Sequence, residues 1–223
     1  MARGGAAASF DTSFERGAVP AFRVGERDRI AFGPSVAGWL GARVCVRADW
    51  AWRVDLTGAG VPVSGPGDLV LGTSVDALAL PGVGAGVGWS VKLPNASAPL
   101  GTDEADVGFG AWVAWARGPL AARGGVGLEI LGNPLRFASQ DDVPHAWLEG
   151  DVRAGDVVVG PRLDLEVATS RNPARSRVGA EVVVGRTAFG RLGVFGGLSP
   201  AAPDWAVALS VGVRALPERG DGV

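Results

Sequence analysis

Residue types that build catalytic and metal sites are scarce in this chain. Its 223 residues include one cysteine, Cys45, one histidine, His145, and no tyrosine. A single cysteine excludes a disulfide framework and a cysteine metal cluster, and we expect Cys45 to be a passive thiol within a strand. A serine or cysteine triad would have to use His145, and no nucleophile with a base and an orienting group is recognisable. The sequence therefore predicts no enzyme, no cofactor and no metal site.

Long apolar runs and basic stripes are missing as well. No stretch reaches the ~20 apolar residues of a membrane-spanning helix, because glycines and a proline interrupt even the most apolar segment, residues 77–91. The net charge of -2 and the pI near 5.5 argue against nucleic acid as a partner. The acidic run 102–106 offers too few oxygen atoms for calcium and is expected to be a solvated loop. The glycine-rich strings precede no helix, so they predict no phosphate site.

The chain is rich in glycine and in alternating patterns. It contains 36 glycines and 47% hydrophobic residues, and apolar residues alternate with small or charged ones in successive short runs. This pattern predicts about twelve strands in one domain spanning residues 1–223, with the least regular pattern at 1–27 and a polar tail at 217–223. The predicted strands are 8–16, 28–40, 43–55, 68–80, 82–94, 105–117, 119–131, 143–154, 156–168, 176–186, 188–198 and 204–215.

The predicted connections alternate between long and short. Those at 17–27, 56–67, 95–104, 132–142 and 169–175 are long, those at 41–42, 81, 118, 155 and 187 are minimal, and 199–203 lies between these sizes. This alternation is typical of an all-β, up-and-down antiparallel transmembrane β-barrel, with short periplasmic turns and longer outer loops. An even number of strands places both termini in the periplasm. We therefore expect a protein of the outer membrane of a Gram-negative bacterium.

Charges inside the predicted strands keep to one parity. In the third strand Trp50 and Trp52 share one face, while Arg47, Asp49 and Arg53 share the other. A charge on the lipid face at the bilayer midplane costs about 2–4 kcal/mol, which explains this separation if the apolar face meets lipid. A soluble β-sandwich or a lipocalin-like barrel would also alternate, but its outer face would need frequent Lys, Glu, Thr and Asn in place of Gly, Ala and Ser. Glycines on the concave wall are expected to leave room for long side chains from across the lumen.

The charged face is expected to line the lumen. Its predicted members are Arg47, Arg53, Lys92, Arg123, Arg153, Arg162, Arg191 and Arg214, with Asp49, Asp76, Asp106, Glu129, Glu149, Asp151, Asp164, Glu166 and Glu181. The basic and acidic members nearly cancel, which argues against a one-signed selective ring and favours paired side chains that brace the wall. About twelve strands also lie between the small packed barrels and the porins of about 16–18 strands. We therefore expect a narrow passage for small solutes.

Tryptophans occur where the membrane interfaces are expected. The predicted interface residues are Trp39 and Trp115 near the inner strand ends and Trp50, Trp52 and Trp205 near the outer ends. Trp112 and Trp147 have lumen parity, and we favour interior packing for them over a stacking surface for an aromatic solute. His145 shares that parity and is expected to be a satisfied or loop-edge residue.

Three segments resemble a known family. They are GPGDLVLGTSVDAL at 65–78, GVGWSVKLPNASAPLGTDEADVGFGAWVAW at 86–115 and the closing WAVALSVGVRAL. They are similar to the outer-membrane barrels of the meta-pathway of phenol degradation family, in which a Gly-Asp opens the strand before a Lys-Leu-Pro loop and a Leu-Gly and Thr-Asp follow. The resemblance covers about residues 40–216 and implies a barrel that admits hydrophobic or aromatic compounds, without a catalytic site. This chain departs from the family at 94–96, where Pro-Asn-Ala replaces Pro-Thr-Gly, and at 214–216, which lacks a final aromatic residue.

Two hypotheses about function stay open. The first is a passive outer-membrane channel for small, hydrophobic or aromatic solutes. The second is a non-conducting structural or surface-binding barrel whose lumen is filled by salt bridges, and a barrel enzyme using His145 ranks third. The expected partners are the lipid bilayer and a small-molecule solute, with a monomer favoured. Because the initial MARGGAAASF lacks the apolar core of about 7–15 residues found in a secretory signal, we interpret the chain as a mature or trimmed form.

Overall fold

Each alternating run of the sequence forms a strand. The computed structural model describes residues 5–18, 27–41, 43–56, 61–96, 100, 104–132, 141–169 and 173–215. Within these residues the twelve strands are β1 (Gly5–Ala18), β2 (Arg27–Leu40), β3 (Val44–Leu56), β4 (Val63–Leu80), β5 (Val83–Leu93), β6 (Asp106–Arg117), β7 (Leu120–Leu131), β8 (Asp141–Ala154), β9 (Val157–Glu166), β10 (Arg177–Val184), β11 (Ala188–Gly197) and β12 (Trp205–Ala215). The largest differences from the predicted bounds are in β4, which begins at Val63 rather than at residue 68, and in β1, which begins at Gly5 rather than at residue 8.

The sheet closes on itself. Each described strand pairs antiparallel with its sequence neighbours, and β1 pairs with β12, with Ala6 opposite Ala215 and Arg16 opposite Trp205. Closure satisfies the backbone groups that an open edge would leave unpaired. The predicted all-β, up-and-down antiparallel barrel is therefore confirmed.

The short connections gather at one end of the barrel, here called the turn end, and the long ones at the opposite loop end. Gly82, between β4 and β5, has a φ of 76°, and Gly118, between β6 and β7, has a φ of 59°. A residue with a Cβ atom pays about 1–2 kcal/mol for this left-handed conformation, whereas glycine adopts it freely. Glycine at these positions allows the chain to reverse within a minimal turn.

The large apolar side chains point outward. Val113 and Val126, in the middle of neighbouring strands, are 64% and 63% exposed. The described residues include no helix that is long and apolar enough to cross a membrane. A continuous exposed apolar band is unusual for a monomeric soluble protein, and it suits contact with hydrocarbon.

The register also locates the predicted interface tryptophans. Trp52 pairs with Phe32, Trp50 with Leu69 and Trp115 with Val83, all on the outward face, and the outward Trp205 contacts the Phe14 ring with centroids 5.1 Å apart. Trp39 differs, because it pairs with Cys45. It lies at the turn end as predicted, but on the parity of the lumen rather than on that of a lipid-facing girdle.

Candidate functional site: the barrel lumen

The lumen has a small-residue wall and a charged wall. On β4 to β6 the inward positions include Gly72, Ser74, Gly84, Gly86, Gly88, Ser90, Gly108 and Gly110. On β7 to β10 they carry most of the predicted lumen charges, including Arg123, Glu149, Arg162, Asp164 and Glu181. The lumen is therefore asymmetric, with space along β4 to β6 and charge along β7 to β10.

Aromatic rings inside the lumen lie over glycines of neighbouring strands. A Cβ atom at Gly86 would lie 2.6 Å from the Trp112 ring, and one at Gly125 would lie 2.8 Å from the Trp147 ring. Further contacts of this kind are His145 over Gly127, Phe195 over Gly179 of β10 and over Gly193 of its own strand, and Phe189 over Gly212. The glycines thus make room for rings from adjacent strands and not for side chains from across the lumen, which corrects the sequence prediction. The rings therefore lie against the wall of the barrel.

We expect the Gly86→Ala variant to lose about 1–3 kcal/mol of stability, because the added methyl group would overlap the Trp112 ring. That methyl group would also lie 2.5 Å from the backbone carbonyl oxygen of Val75. Gly72→Ala is the matched control, since Gly72 faces inward on the adjacent strand. The atom nearest to a Cβ atom there would be the Trp89 carbonyl oxygen, at 3.8 Å. The free energy of unfolding of this control should stay within about 1 kcal/mol of that of the unmodified protein, or rise slightly. Urea unfolding in lipid vesicles measures both, and equal stabilities would contradict the ring packing.

A chain of ion pairs crosses the charged wall. Arg123 Nε donates a hydrogen bond to Glu149 Oε1 at 2.7 Å, and Arg162 Nη1 lies 3.9 Å from the other oxygen of Glu149. Arg162 Nε donates to Asp164 Oδ1 at 3.1 Å, and Arg177 Nε donates to Asp164 Oδ2 at 2.9 Å. Guanidinium and carboxylate groups alternate along this chain, so each charge has an opposite neighbour. The pairs brace β7 to β10, as the sequence predicted for the wall.

Arginines of this wall also stack on lumen aromatics. The Arg123 guanidinium lies 5.3 Å from the Trp147 ring centroid, and that of Arg177 lies 4.9 Å from the Phe195 ring centroid. Such contacts contribute about 0.5–1 kcal/mol at exposed sites and more when desolvated. Stacking and pairing together hold these long side chains against the wall. The sequence analysis missed Phe195, although it has the same parity as Arg191.

Residues of the family-like segments meet at the loop end. Asp68 is 6% exposed and accepts hydrogen bonds from the backbone N–H groups of Asn95 and Ala96, both at 3.2 Å. Lys92 forms ion pairs with Asp106 and with Asp68, the latter at 3.8 Å between Nζ and Oδ2. These contacts fasten the start of the β5–β6 connection to the strands beside it. The sequence analysis placed Lys92 and Asp106 in the lumen but missed Asp68, for which the Gly-Asp pair was the available signal.

The β5–β6 connection also contacts the barrel wall through Leu100. This residue is 7% exposed, and its carbonyl oxygen accepts a hydrogen bond of 2.8 Å from Arg53 Nη1. Gly65 pairs with Arg53, and a Cβ atom there would lie 2.8 Å from the Leu100 side chain. The absent side chain at Gly65 thus provides the space that Leu100 occupies. The contact packs this part of the connection against β3 and β4 at the loop end.

A cavity of about 500 Å³ lies in the loop-end half of the lumen. Its lining includes Glu15 and Arg29 from β1 and β2, and His145 and Trp147 from β8. Small-molecule sites typically occupy about 300–1,000 Å³, so the cavity suits a small solute. No serine or cysteine is among the described residues that line it, so His145 has no nucleophile beside it there. The described chain also contains no group of three or more His, Cys, Asp or Glu side chains that could hold a metal ion.

The remaining predicted lumen charges separate into two groups. Arg47 Nε lies 2.6 Å from Asp49 Oδ2, and Glu181 lies 3.9 Å from Arg162. Among the described residues, no ion pair involves the second group, which comprises Asp76, Glu129, Asp151, Arg153, Glu166, Arg191 and Arg214. The sequence indicated similar numbers of basic and acidic residues, but in the described structure these seven charges form no ion pair.

The structure is similar to solved barrels of the outer membrane. An outer membrane channel from Pseudomonas putida F1 aligns with a TM-score of 0.67 and 12% identity over 96% of each chain. The β domain of the Bordetella autotransporter BrkA aligns with a TM-score of 0.54 and 13% identity over 95% of this chain and 99% of that one. The translocator domain of the autotransporter NalP from Neisseria meningitidis gives 0.52 and 13% over 96% and 88%.

These similarities concern the fold. No protein-family model and no curated protein matches the sequence. At 12% to 13% identity the three structures share an architecture with this chain. The fold is that of an outer-membrane β-barrel, and at this level the resemblance noted in the sequence is confirmed.

Proposed function

We propose that the protein is a passive channel of the Gram-negative outer membrane that admits small solutes, with hydrophobic or aromatic ones favoured. The observation that carries this proposal is the cavity of about 500 Å³ inside a closed barrel whose outer surface is apolar. An apolar exterior around a polar lumen is the arrangement of transmembrane β-barrels, including the porins that conduct.

The arrangement of lumen side chains supports conduction over plugging. The long charged side chains are drawn to β7 to β10 by ion pairs and by stacking on Trp147 and Phe195. Along β4 to β6 the Trp112 ring lies over Gly86, so the bulkiest side chain on that wall lies along it. The cavity lining combines Trp147 with charged groups, which suits a small molecule with an aromatic face. The P. putida protein of similar fold is itself described as a channel.

A non-conducting barrel is the second candidate, favoured by the ion-pair chain from Arg123 to Arg177. A fully braced wall with the Leu100 contact at the loop end could close the bore. Such a barrel would present its loops for binding and pass no current. The two candidates therefore differ in one measurable property, which is conductance.

Purified protein in planar lipid bilayers is expected to produce discrete current steps. Trp112→Ala should raise the conductance, because it removes a ring from the lumen wall. Trp115→Ala is the matched control, since Trp115 lies on the outward face of the same strand, and its conductance should equal that of the unmodified protein.

Catechol should interrupt the current at lower concentrations than arabinose does if aromatic solutes are favoured. A folded, correctly inserted barrel without current steps would contradict the channel and support the braced, closed barrel.

A further inference from the structure

Arginines without carboxylate partners collect at the turn end of the lumen. Arg153 on β8, Arg191 on β11 and Arg214 on β12 all face inward. The register links two of them in one row, because Arg153 pairs with Val158, and Val183 pairs with both Val158 and Arg191. Strands are about 4.8 Å apart, so the two Cα atoms are roughly 14 Å apart across the concave wall. Side chains as long as arginine can converge over that distance above the two short valines.

The three guanidinium groups lie within electrostatic range of one another but are not neutralised. Arg214 experiences the charges of both Arg191 and Arg153. In the described part of the chain none of the three forms an ion pair, and Arg191 Nε is buried without a hydrogen-bond partner. Buried guanidinium N–H groups normally have an acceptor, so the Arg191 atom is an unfilled donor at this site.

An aromatic ring positions the third arginine. The Arg214 guanidinium lies 4.3 Å from the centroid of the Phe189 ring. That ring lies over Gly212, where a Cβ atom would be 2.7 Å away. Glycine thus fixes the ring, and the ring holds the guanidinium by a cation–π contact that leaves its N–H edge free to donate. The sequence analysis missed Phe189 as a lumen residue.

The nearby carboxylates do not offset the arginines. Asp151 lies within electrostatic range of Arg153 and Arg191, with its Oδ1 atom close to the backbone of Gly160. Asp11, two strands from Arg191 in the same row, accepts a hydrogen bond of 3.1 Å from the Ser9 hydroxyl. Asp76 lies on β4, among the small residues of the other wall. Glu181 of β10 is diagonal to Arg191 in the register, but it lies toward Arg162, with 3.9 Å between its Oε1 and Arg162 Nη1. Asp151 is therefore the carboxylate that lies beside the three guanidinium groups.

The loop end provides the contrast. There the unpaired Glu129 and Glu166 line the same cavity as Arg29, Arg175 and Arg177, so the two signs are mixed. On the β8 to β12 side of the turn end three arginines face one carboxylate, Asp151, while Asp76 and the Arg47–Asp49 pair lie across the lumen on β3 and β4. Charge of one sign around a narrow passage selects ions of the opposite sign.

We propose that Arg153, Arg191 and Arg214 form an anion-selective site at the turn end, suited to the carboxylate of a small organic acid. The site rests on the proposed channel function and adds a charge preference to it. Guanidinium groups bind carboxylates through charge-assisted hydrogen bonds, for which the free edge of Arg214 and the unfilled Nε of Arg191 are available. A solute leaving the cavity on the way to the turn end would meet this site.

The reversal potential across a bilayer with a tenfold KCl gradient tests the site. Near 0.1 M salt, where charges act over about 10 Å, the unmodified channel is expected to pass chloride better than potassium. The doubly substituted Arg191→Ala/Arg214→Ala channel should show a chloride-to-potassium permeability ratio that falls to about one or below, since one arginine then faces Asp151. Arg191→Lys/Arg214→Lys should retain the ratio, because it keeps the charge. Benzoate should interrupt the current of the unmodified channel at lower concentrations than that of the alanine variant.

Arg117→Ala is the matched control, because Arg117 is an exposed arginine at the same end of the barrel but has outward parity. It should leave the ratio unchanged, and heat-modifiable migration on gels confirms that each variant is folded. A conducting channel with a ratio of one or less, or an alanine variant that keeps its preference, would overturn the anion site while leaving the channel intact. Absence of any current would overturn the channel and the anion site together.

Discussion

An arginine introduced at Val113 is expected to destabilise the folded barrel by about 2–4 kcal/mol. Val113 lies in the interior of β6, is 64% exposed and points outward. If the outward band faces hydrocarbon, the new guanidinium would lie near the bilayer midplane without water or a partner. The cost is the desolvation of the charge, and it falls toward zero for positions nearer the interfaces.

Ala114→Arg is the control for this substitution. Ala114 is the next residue of β6 and faces inward opposite Arg123, beside a cavity of about 430 Å³ whose lining also includes Glu149 and Asp151. An arginine there would reach water and carboxylates, so we expect a loss of no more than about 1 kcal/mol. Urea unfolding of both variants in lipid vesicles gives the two free energies. Similar losses at the two positions would show that the outward face does not meet lipid.

These two substitutions can be chosen from the sequence, because the alternation along each strand separates the outward face from the inward face. The first and last residues of the strands were harder to predict from the sequence than the two faces were, as β4 shows. Its first residues, 63–67, contain Pro66 between Gly65 and Gly67, which normally indicate a connection. In the structure Pro66 pairs with Trp52 on the outward face, and a register shift between Trp50 and Trp52 accommodates the extra residue. Only pairing with β3 makes this segment a strand, and no local pattern reports that pairing.

In the lumen, too, the alternation of the sequence predicts some features and not others. Parity identified the inward charges, but the partner of each charge depends on the register and on side-chain reach. Asp164 pairs with Arg162 of its own strand and with Arg177 of β10, while Arg191 at similar parity has no carboxylate partner. Contacts such as that between Arg53 and Leu100 join residues far apart in the chain. The anion site therefore emerges from the structure, although each of its arginines was a predicted lumen residue.

Replacing Arg29 with methionine is expected to lower the free energy of unfolding by an amount toward the lower end of about 3–5 kcal/mol, because it removes one ion-pair partner of a fully buried carboxylate. Arg29 Nε donates to Asp55 Oδ1 at 2.9 Å, and Nη2 lies 3.5 Å from Oδ2. The Asp55 side chain is 0% exposed and that of Arg29 is 22% exposed. The register also sets Glu15 opposite Arg29, so the substitution leaves two carboxylates facing a neutral side chain.

Arg47→Met is the matched control, since Arg47 pairs with Asp49 on the same strand but the two side chains are 60% and 30% exposed. Water screens that pair, so its loss should cost about 0–1 kcal/mol. The double variant Arg29→Met/Asp55→Leu should recover part of the stability lost in Arg29→Met, because it no longer buries a charge. The free energy of unfolding in urea separates these cases. If Arg29→Met cost no more than Arg47→Met, water would have to reach Asp55, and the loop end of β2 and β3 would be open rather than packed.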